Sequence, residues 1–164
     1  MSTTVEIDLM LTAIPDDDRP VWMAFAFPDA WTDAGVAIRS GEGPEAIAAA
    51  VAEQPRIEAV LVNCTTPEQT GEALQALRRA LSEAGADVVT GAYANAFPTR
   101  ASEPRRLGAG YRANNTILER RDDLTPDRYA EFVDEWVQAG ATLLGGCCDM
   151  YPEHIAALAD RFGR

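Results

Sequence analysis

The sequence predicts an α/β fold built on a parallel sheet, and three observations carry that expectation. From Gly43 onwards, short apolar runs alternate with helix-length amphipathic stretches, the rhythm of repeated βα units. Thr66-Pro67-Glu68 and Thr125-Pro126-Asp127 share one helix-start grammar, a capping hydroxyl, a proline at the first helical position and an early acid. Two apolar runs, Ala59-Val60-Leu61-Val62 and Ala141-Thr142-Leu143-Leu144, each end just before cysteine. In a parallel layout the C-terminal ends of all strands lie on one side of the sheet, where sites are built.

The 164 residues are one domain, 1–164, by length, with 47% apolar residues to build a core. No apolar run is long enough to cross a membrane, and Met1 to Glu6 holds neither a basic segment nor a signal-like stretch, so a cytoplasmic protein away from membranes is expected. The net charge is -12 and every basic residue is Arg. That balance argues against a nucleic-acid partner, which requires basic patches, and suits solubility. Three cysteines are an odd number, so a disulfide framework is not expected. Clustered thiols in a reducing compartment point instead to metal or catalysis.

Taken in order, Val5 to Ile14 reads as a partly alternating strand and Pro15-Asp16-Asp17-Asp18 as a turn. Pro20 to Phe27 reads as a second strand. The link is too short for a parallel crossover, so the two form an antiparallel hairpin or are not neighbours in the sheet. Gly43-Pro44-Glu45 opens an Ala-rich helix through about Glu53, and Ile57 to Asn63 is the next strand. Leu74, Leu77 and Leu81 share a face of the helix that follows. Gly85 stops it, and Asp87 to Tyr93 is a strand. The stretch 96–124 is long and irregular, with Pro98, Pro104, Gly108 and Gly110, and loops of this length are usually functional or disordered. Tyr129, Phe132, Val133, Trp136 and Val137 then form an apolar helical stripe. Gly140 ends that helix, Ala141 to Gly146 is the last strand, and Pro152-Glu153 opens a final helix with Ile155, Leu158, Ala159 and Phe162 inward.

The chemistry concentrates in Gly145-Gly146-Cys147-Cys148 and in Asn63-Cys64-Thr65. A lone cysteine is ordinarily a small buried hydrophobe. Adjacent cysteines cannot both point into one face of a strand, but past the strand's end both can face one ion. Three thiolates converging there suit Zn2+ with a fourth position open. Zinc deprotonates a coordinating thiol outright, which would prepare a substrate thiol to attack an electrophilic methyl group. Asn63 and Asn95, at strand ends, can bind a substrate carboxylate, orient a thiolate, or simply cap a loop. His154, near the cysteine pair, could be a fourth ligand, but it is expected on the surface of the last helix, since a catalytic zinc site keeps its fourth position open. Arg105, Arg106 and Arg112 could meet an anionic substrate but are expected to be solvated, Asp149 to lie beside the metal or in solvent, and Trp22, Trp31 and Trp136 to serve core or interface.

These segments resemble the homocysteine S-methyltransferase family. Gly145-Gly146-Cys147-Cys148 followed by Pro152-Glu153-His154-Ile155 is similar to its C-terminal end, and Val62-Asn63-Cys64-Thr65-Thr66-Pro67-Glu68 to its upstream cysteine segment. Pro20 to Phe27 with Ile38-Arg39-Ser40-Gly41-Glu42, and Tyr93-Ala94-Asn95, follow in the family's order. The resemblance implies a zinc site of Cys64, Cys147 and Cys148 and methyl transfer to a thiol. The family's usual donors are S-methylmethionine or S-adenosylmethionine. The family fold is a (β/α)8 TIM-type barrel of ~250 residues, of which this chain matches the second half, so a half barrel is expected. Leu11-Thr12-Ala13-Ile14-Pro15 aligns with a Phe-Glu-Thr-Ile-Pro segment whose glutamate contacts the homocysteine amino group, which puts Thr12 at a substrate-binding position. After Cys148 the family's Gly-Thr-Thr is Asp149-Met150-Tyr151. Open edges of half a barrel call for a second half, as a homodimer or as another chain. The function implied is a zinc-dependent methyltransferase taking a small-molecule thiol and a methyl donor. The alternatives are a non-catalytic zinc-binding subunit that completes a partner's barrel, and a methyltransferase acting on a keto acid carbon.

Overall fold

The structure, a computed structural model, describes residues 1–15, 17–29, 31, 33, 35–97 and 121–163. Its elements run α1 (Val5–Ala13), β1 (Val21–Ala26), α2 (Pro44–Ala52), β2 (Ile57–Asn63), α3 (Pro67–Glu83), β3 (Val89–Ala94), α4 (Pro126–Gln138), β4 (Leu143–Gly146) and α5 (Pro152–Phe162). Proline stands in the first turn of α2, α3, α4 and α5, where its missing N–H has no intrahelical partner to lose. The Thr125 side chain accepts from Arg128 N at 3.2 Å and caps α4.

The four strands form one parallel sheet in the order β1-β2-β3-β4. Side chains alternate between its faces. Met23, Phe25, Val60, Val62, Ala92 and Ala94 join buried residues from every helix in one core, among them Ile7, Ile47, Leu74, Leu77, Val133, Trp136 and Leu158. The other face carries Ala24, Leu61, Gly91 and Leu143 in one register row and Ala26, Asn63, Tyr93 and Gly145 in the next. A Cβ on Gly91 would lie 2.3 Å from the Leu143 carbonyl and 2.8 Å from Leu61 Cδ2. Glycine there lets the two leucines close over the row.

Three expectations need correction. Val5 to Ile14 is not a strand: Val5–Ala13 is helix α1, and β1 pairs with β2 in parallel, so there is no hairpin. The backbone of Met1 takes the outer edge of β1 instead, its N–H group donating to Ala24 O at 2.6 Å and its carbonyl accepting from Ala26 N at 2.7 Å. A helix then satisfies the following backbone locally, burying Ile7 while Val5 and Leu9 stay 67% exposed. In α5 the inward residues are His154 and Leu158, with Phe162 half-buried against the core, whereas Ile155 and Ala159 are exposed, because the helix turns its histidine towards the start of α4. Of the tryptophans expected in core or interface, Trp136 is fully buried in the core, and Trp22 lies 57% exposed on the face away from the helices, a position open to an interface. Of the stretch 96–124, residues 98–120 lie outside the described residues, and Arg105, Arg106 and Arg112 with them. No helix among the described residues is long and apolar enough to cross a membrane.

Candidate metal centre

Cys64 follows β2 directly, and Cys147 and Cys148 follow β4. Cys64 leaves its strand at φ +50°, a left-handed conformation that costs a non-glycine residue on the order of 1–3 kcal/mol. Backbone bonds hold the turn in place: Cys64 N donates to Tyr93 O at 3.0 Å and Asn95 N to Thr65 O at 2.9 Å. On the other side Cys147 N donates to Ala94 O at 2.9 Å and Ala96 N to Cys148 O at 3.0 Å. Asp149, at φ +60°, turns the chain away towards α5. The two cysteine segments are thus fastened to opposite sides of the end of β3.

The result is convergence. Cys64 Sγ lies 3.7 Å from Cys148 Sγ, and Cys147 Sγ lies 3.6 Å from Cys148 Sγ. All three sulfurs fall within 4.8 Å of one another. With zinc–sulfur bonds of ~2.3 Å, sulfurs on one tetrahedral ion stand roughly 3.8 Å apart, so the donor set and its spacing fit zinc. Cys64 and Cys147 are half-buried and Cys148 is exposed, so the cluster opens to solvent on one side.

The environment favours a thiolate on Cys64. A hydrogen bond from Cys147 does most to bring its pKa down to about 6, against the opposing effect of burial, with Cys148, Asn95 and the Arg39 charge helping. Cys147 is pushed up, first by that same bond to Cys64 and then by burial. Asn95 is buried; its Nδ2 lies 3.9 Å from Cys64 Sγ and 3.4 Å from Asp29 Oδ1, while its Oδ1 accepts from Phe97 N. Arg39 donates from Nη2 to Cys64 O at 3.1 Å and from Nε to Phe27 O at 3.2 Å. Asn63 sits in register with Tyr93 on the face away from the helices, and its buried Oδ1 has no hydrogen-bond partner among the described residues.

Thr12 is not brought to this cluster. It lies in the last turn of α1 and donates to Asp8 O at 2.7 Å. Pro15, just beyond, accepts from Arg56 Nη2 at the start of β2, the opposite end of the sheet from the cysteines. An alignment that takes this run as a strand cannot foresee that, because a helix carries the same residues elsewhere. His154 is likewise not on the surface: it is 1% exposed, with Nδ1 accepting from Tyr151 N and Nε2 placed 3.1 Å from Leu124 O. Since Nδ1 accepts, Nε2 carries the proton, and both nitrogens are committed to holding α5 in place.

The homocysteine S-methyltransferase family model matches residues 1–162. The chain belongs to the homocysteine S-methyltransferase family. Homocysteine S-methyltransferase 4 of Zea mays is 30% identical over 85% of this chain, and selenocysteine methyltransferase of Astragalus bisulcatus 25% identical over 85%. The match spans only 35% of each of those relatives. Among solved structures, the homocysteine methyltransferase MmuM of Escherichia coli superposes in its metallated form with a TM-score of 0.63 at 24% identity, covering 96% of this chain and 40% of that one. Its oxidized form gives 0.64 at 25% identity over 98% and 43%. The four parallel strands are accordingly a half of the homocysteine S-methyltransferase barrel, with the cysteines at its C-terminal rim.

Sequence reasoning missed Arg39, Asp29 and the inward turn of His154. Arg39 acts through its neighbours' carbonyls, a role that leaves no spacing signal. The Pro-Glu-His opening of α5 resembles an ordinary exposed first turn.

Proposed function

We propose that this chain is a zinc-dependent methyltransferase-like half barrel, residues 1–164, that moves a methyl group from a sulfonium donor to a thiol substrate. The observation that carries the reading is the convergence of the Cys64, Cys147 and Cys148 sulfurs from two strands distant in sequence. Those three residues would hold the ion. Zinc bound there supplies a substrate thiol in its deprotonated form at neutral pH.

The chain's own residues do the rest. Asn95 donates towards Cys64 and keeps its sulfur aimed at the cluster. Arg39 fixes the Cys64 carbonyl and so the strained turn. Asn63, with its unpartnered carbonyl oxygen, is the group we assign to the substrate. In the transfer, the substrate sulfur's electron pair forms a bond to the methyl carbon as the donor's carbon–sulfur bond breaks. Its electrons return to the donor sulfur, and two neutral thioethers result. Three free thiols at an open rim fit a reducing compartment, and we place the protein in the cytoplasm.

A second reading is favoured by the match to only 35% of the relatives' length: a zinc-binding subunit that contributes its cysteines to a barrel completed by a second copy or by another chain. Zinc content and methyl transfer to homocysteine and selenocysteine, measured on the purified protein alone, separate the two. Turnover by the chain alone supports the first reading. Stoichiometric zinc with no turnover, restored by adding a chain that carries the other half barrel, supports the second. Absence of zinc sinks both.

A further inference from the structure

The sequence places Tyr129 in an apolar stripe, and it is fully buried against Trp136 and His154, edge-on to both rings. Its hydroxyl does something the stripe does not require. It donates to Gly145 O at 2.6 Å and accepts from Ala94 N at 3.3 Å. Ala94 belongs to β3, and Gly145 to β4, where Ala94 and Gly146 are register partners. The hydroxyl of an α4 residue therefore stands inside the β3–β4 ladder, bridging the two strands at their last step. The next bonds outward run from Cys147 N to Ala94 O and from Ala96 N to Cys148 O. Both polar ends of Ala94 are thus engaged, one by Tyr129 and the other by the first cysteine of the pair.

We propose that Tyr129 is the positioning residue for the double cysteine: its hydroxyl, bridging Ala94 N–H and Gly145 C=O, sets where β4 ends and so where Cys147 and Cys148 present their sulfurs to Cys64. The inference rests on the reading of the three cysteines as a metal site. Burial pushes the hydroxyl's pKa up, so it remains a proton donor to Gly145. Without it, the buried N–H of Ala94 and the half-buried carbonyl of Gly145 lose this partner, and the strand ends must rearrange to satisfy them. That rearrangement is transmitted to Cys147 through its bond to Ala94 O. Groups hydrogen-bonded directly to metal ligands usually matter at about 10- to 100-fold in affinity; Tyr129 acts one hydrogen bond further back, through Ala94, so its loss is expected at the lower end of that range.

The test uses the full chain as wild type, Tyr129→Phe, and Val133→Ala, a core truncation in the same helix that leaves the hydroxyl in place. Each is titrated with Co2+, read by thiolate-to-cobalt charge-transfer absorption, and with arsenite, which captures converging thiols without needing a metal site. The expected result is Tyr129→Phe weakened about tenfold or more towards both probes with altered cobalt bands, and Val133→Ala unchanged towards both. 4-Aminophenylalanine at position 129, which can again donate and accept, restores both affinities. If Tyr129→Phe does not fold, 4-fluorophenylalanine at the same position, which fills the hydroxyl's space but cannot donate, is read in its place against the same outcomes. Wild-type affinity and spectrum in Tyr129→Phe overturn the proposal, as does equal loss in Val133→Ala or no rescue by the amino analogue. A wild type that captures arsenite but not cobalt refutes the metal reading alone. The arsenite ratios then decide the role of Tyr129 in the same way.

Discussion

Cys64 is the thiol whose surroundings most favour the anion, and the cause is mainly its bond from Cys147, with a pKa near 6. In metal-free protein, alkylation of Cys64 by iodoacetamide is expected to follow a midpoint near pH 6. In Cys147→Ala that midpoint should rise towards the ordinary thiol value of 9.0, and an unmoved midpoint would remove Cys147 as the cause. Gly146 offers a second residue-scale test. A Cβ there would stand 2.6 Å from Met150 Cβ, so Gly146→Ala must shift the turn that carries both cysteines. Overpacking of this kind costs about 1–3 kcal/mol, and zinc content, measured on folded protein, is expected to fall with it; full zinc in the variant would contradict this. The cysteines themselves were legible because each ends an apolar run at the same side of a parallel sheet. The hydroxyl of Tyr129 was not legible, since periodicity reports which face a residue occupies and says nothing of what a polar atom on that face meets.

At the scale of elements, α2, β2, α3, β3, α4 and β4 were readable from proline starts, glycine stops and apolar runs, because those signals act locally. The run Val5–Ile14 was misread because its alternation of Val5, Ile7, Leu9 and Leu11 suits a strand only if an edge is free to receive it. Here Met1 occupies that edge at Ala24 and Ala26. What fixes α1 instead is Glu42, which accepts from Thr4 N and from the Thr4 and Ser40 hydroxyls. Burial would raise the pKa of Glu42, but hydrogen bonds from Ser40, Thr4 and Thr3 outweigh it and hold the carboxyl at about 2 against an ordinary 4.5. A depressed carboxyl pKa stabilises the fold above the unfolded value, and that contribution is lost as pH falls through the folded one. The difference in melting temperature between wild type and Glu42→Gln should therefore be present at pH 6, shrink below about 4.5 and vanish near 2. A difference independent of pH would show that the charge plays no part.

Among the described residues the molecule is a parallel sheet covered by helices on one face, with Leu61, Leu143, Trp22 and Tyr93 on the other. That arrangement was foreseeable only through the family resemblance, since residue patterns indicate βα units and not how many of them close a barrel. An apolar face and a β4 edge that is unpaired among the described residues fit the proposal of a second half, and light scattering of the purified chain is expected to give the mass of two copies. A stable monomer would rule out the homodimer. The central claim, that three sulfurs from two separated strand ends share one ion, is tested most directly by X-ray absorption at the zinc edge on the zinc-loaded full chain. Three sulfur neighbours at about 2.3 Å are expected, falling to two in each single Cys→Ser variant at positions 64, 147 and 148. Fewer than three sulfurs in the wild type, or a spectrum unchanged by any one of the substitutions, would contradict it.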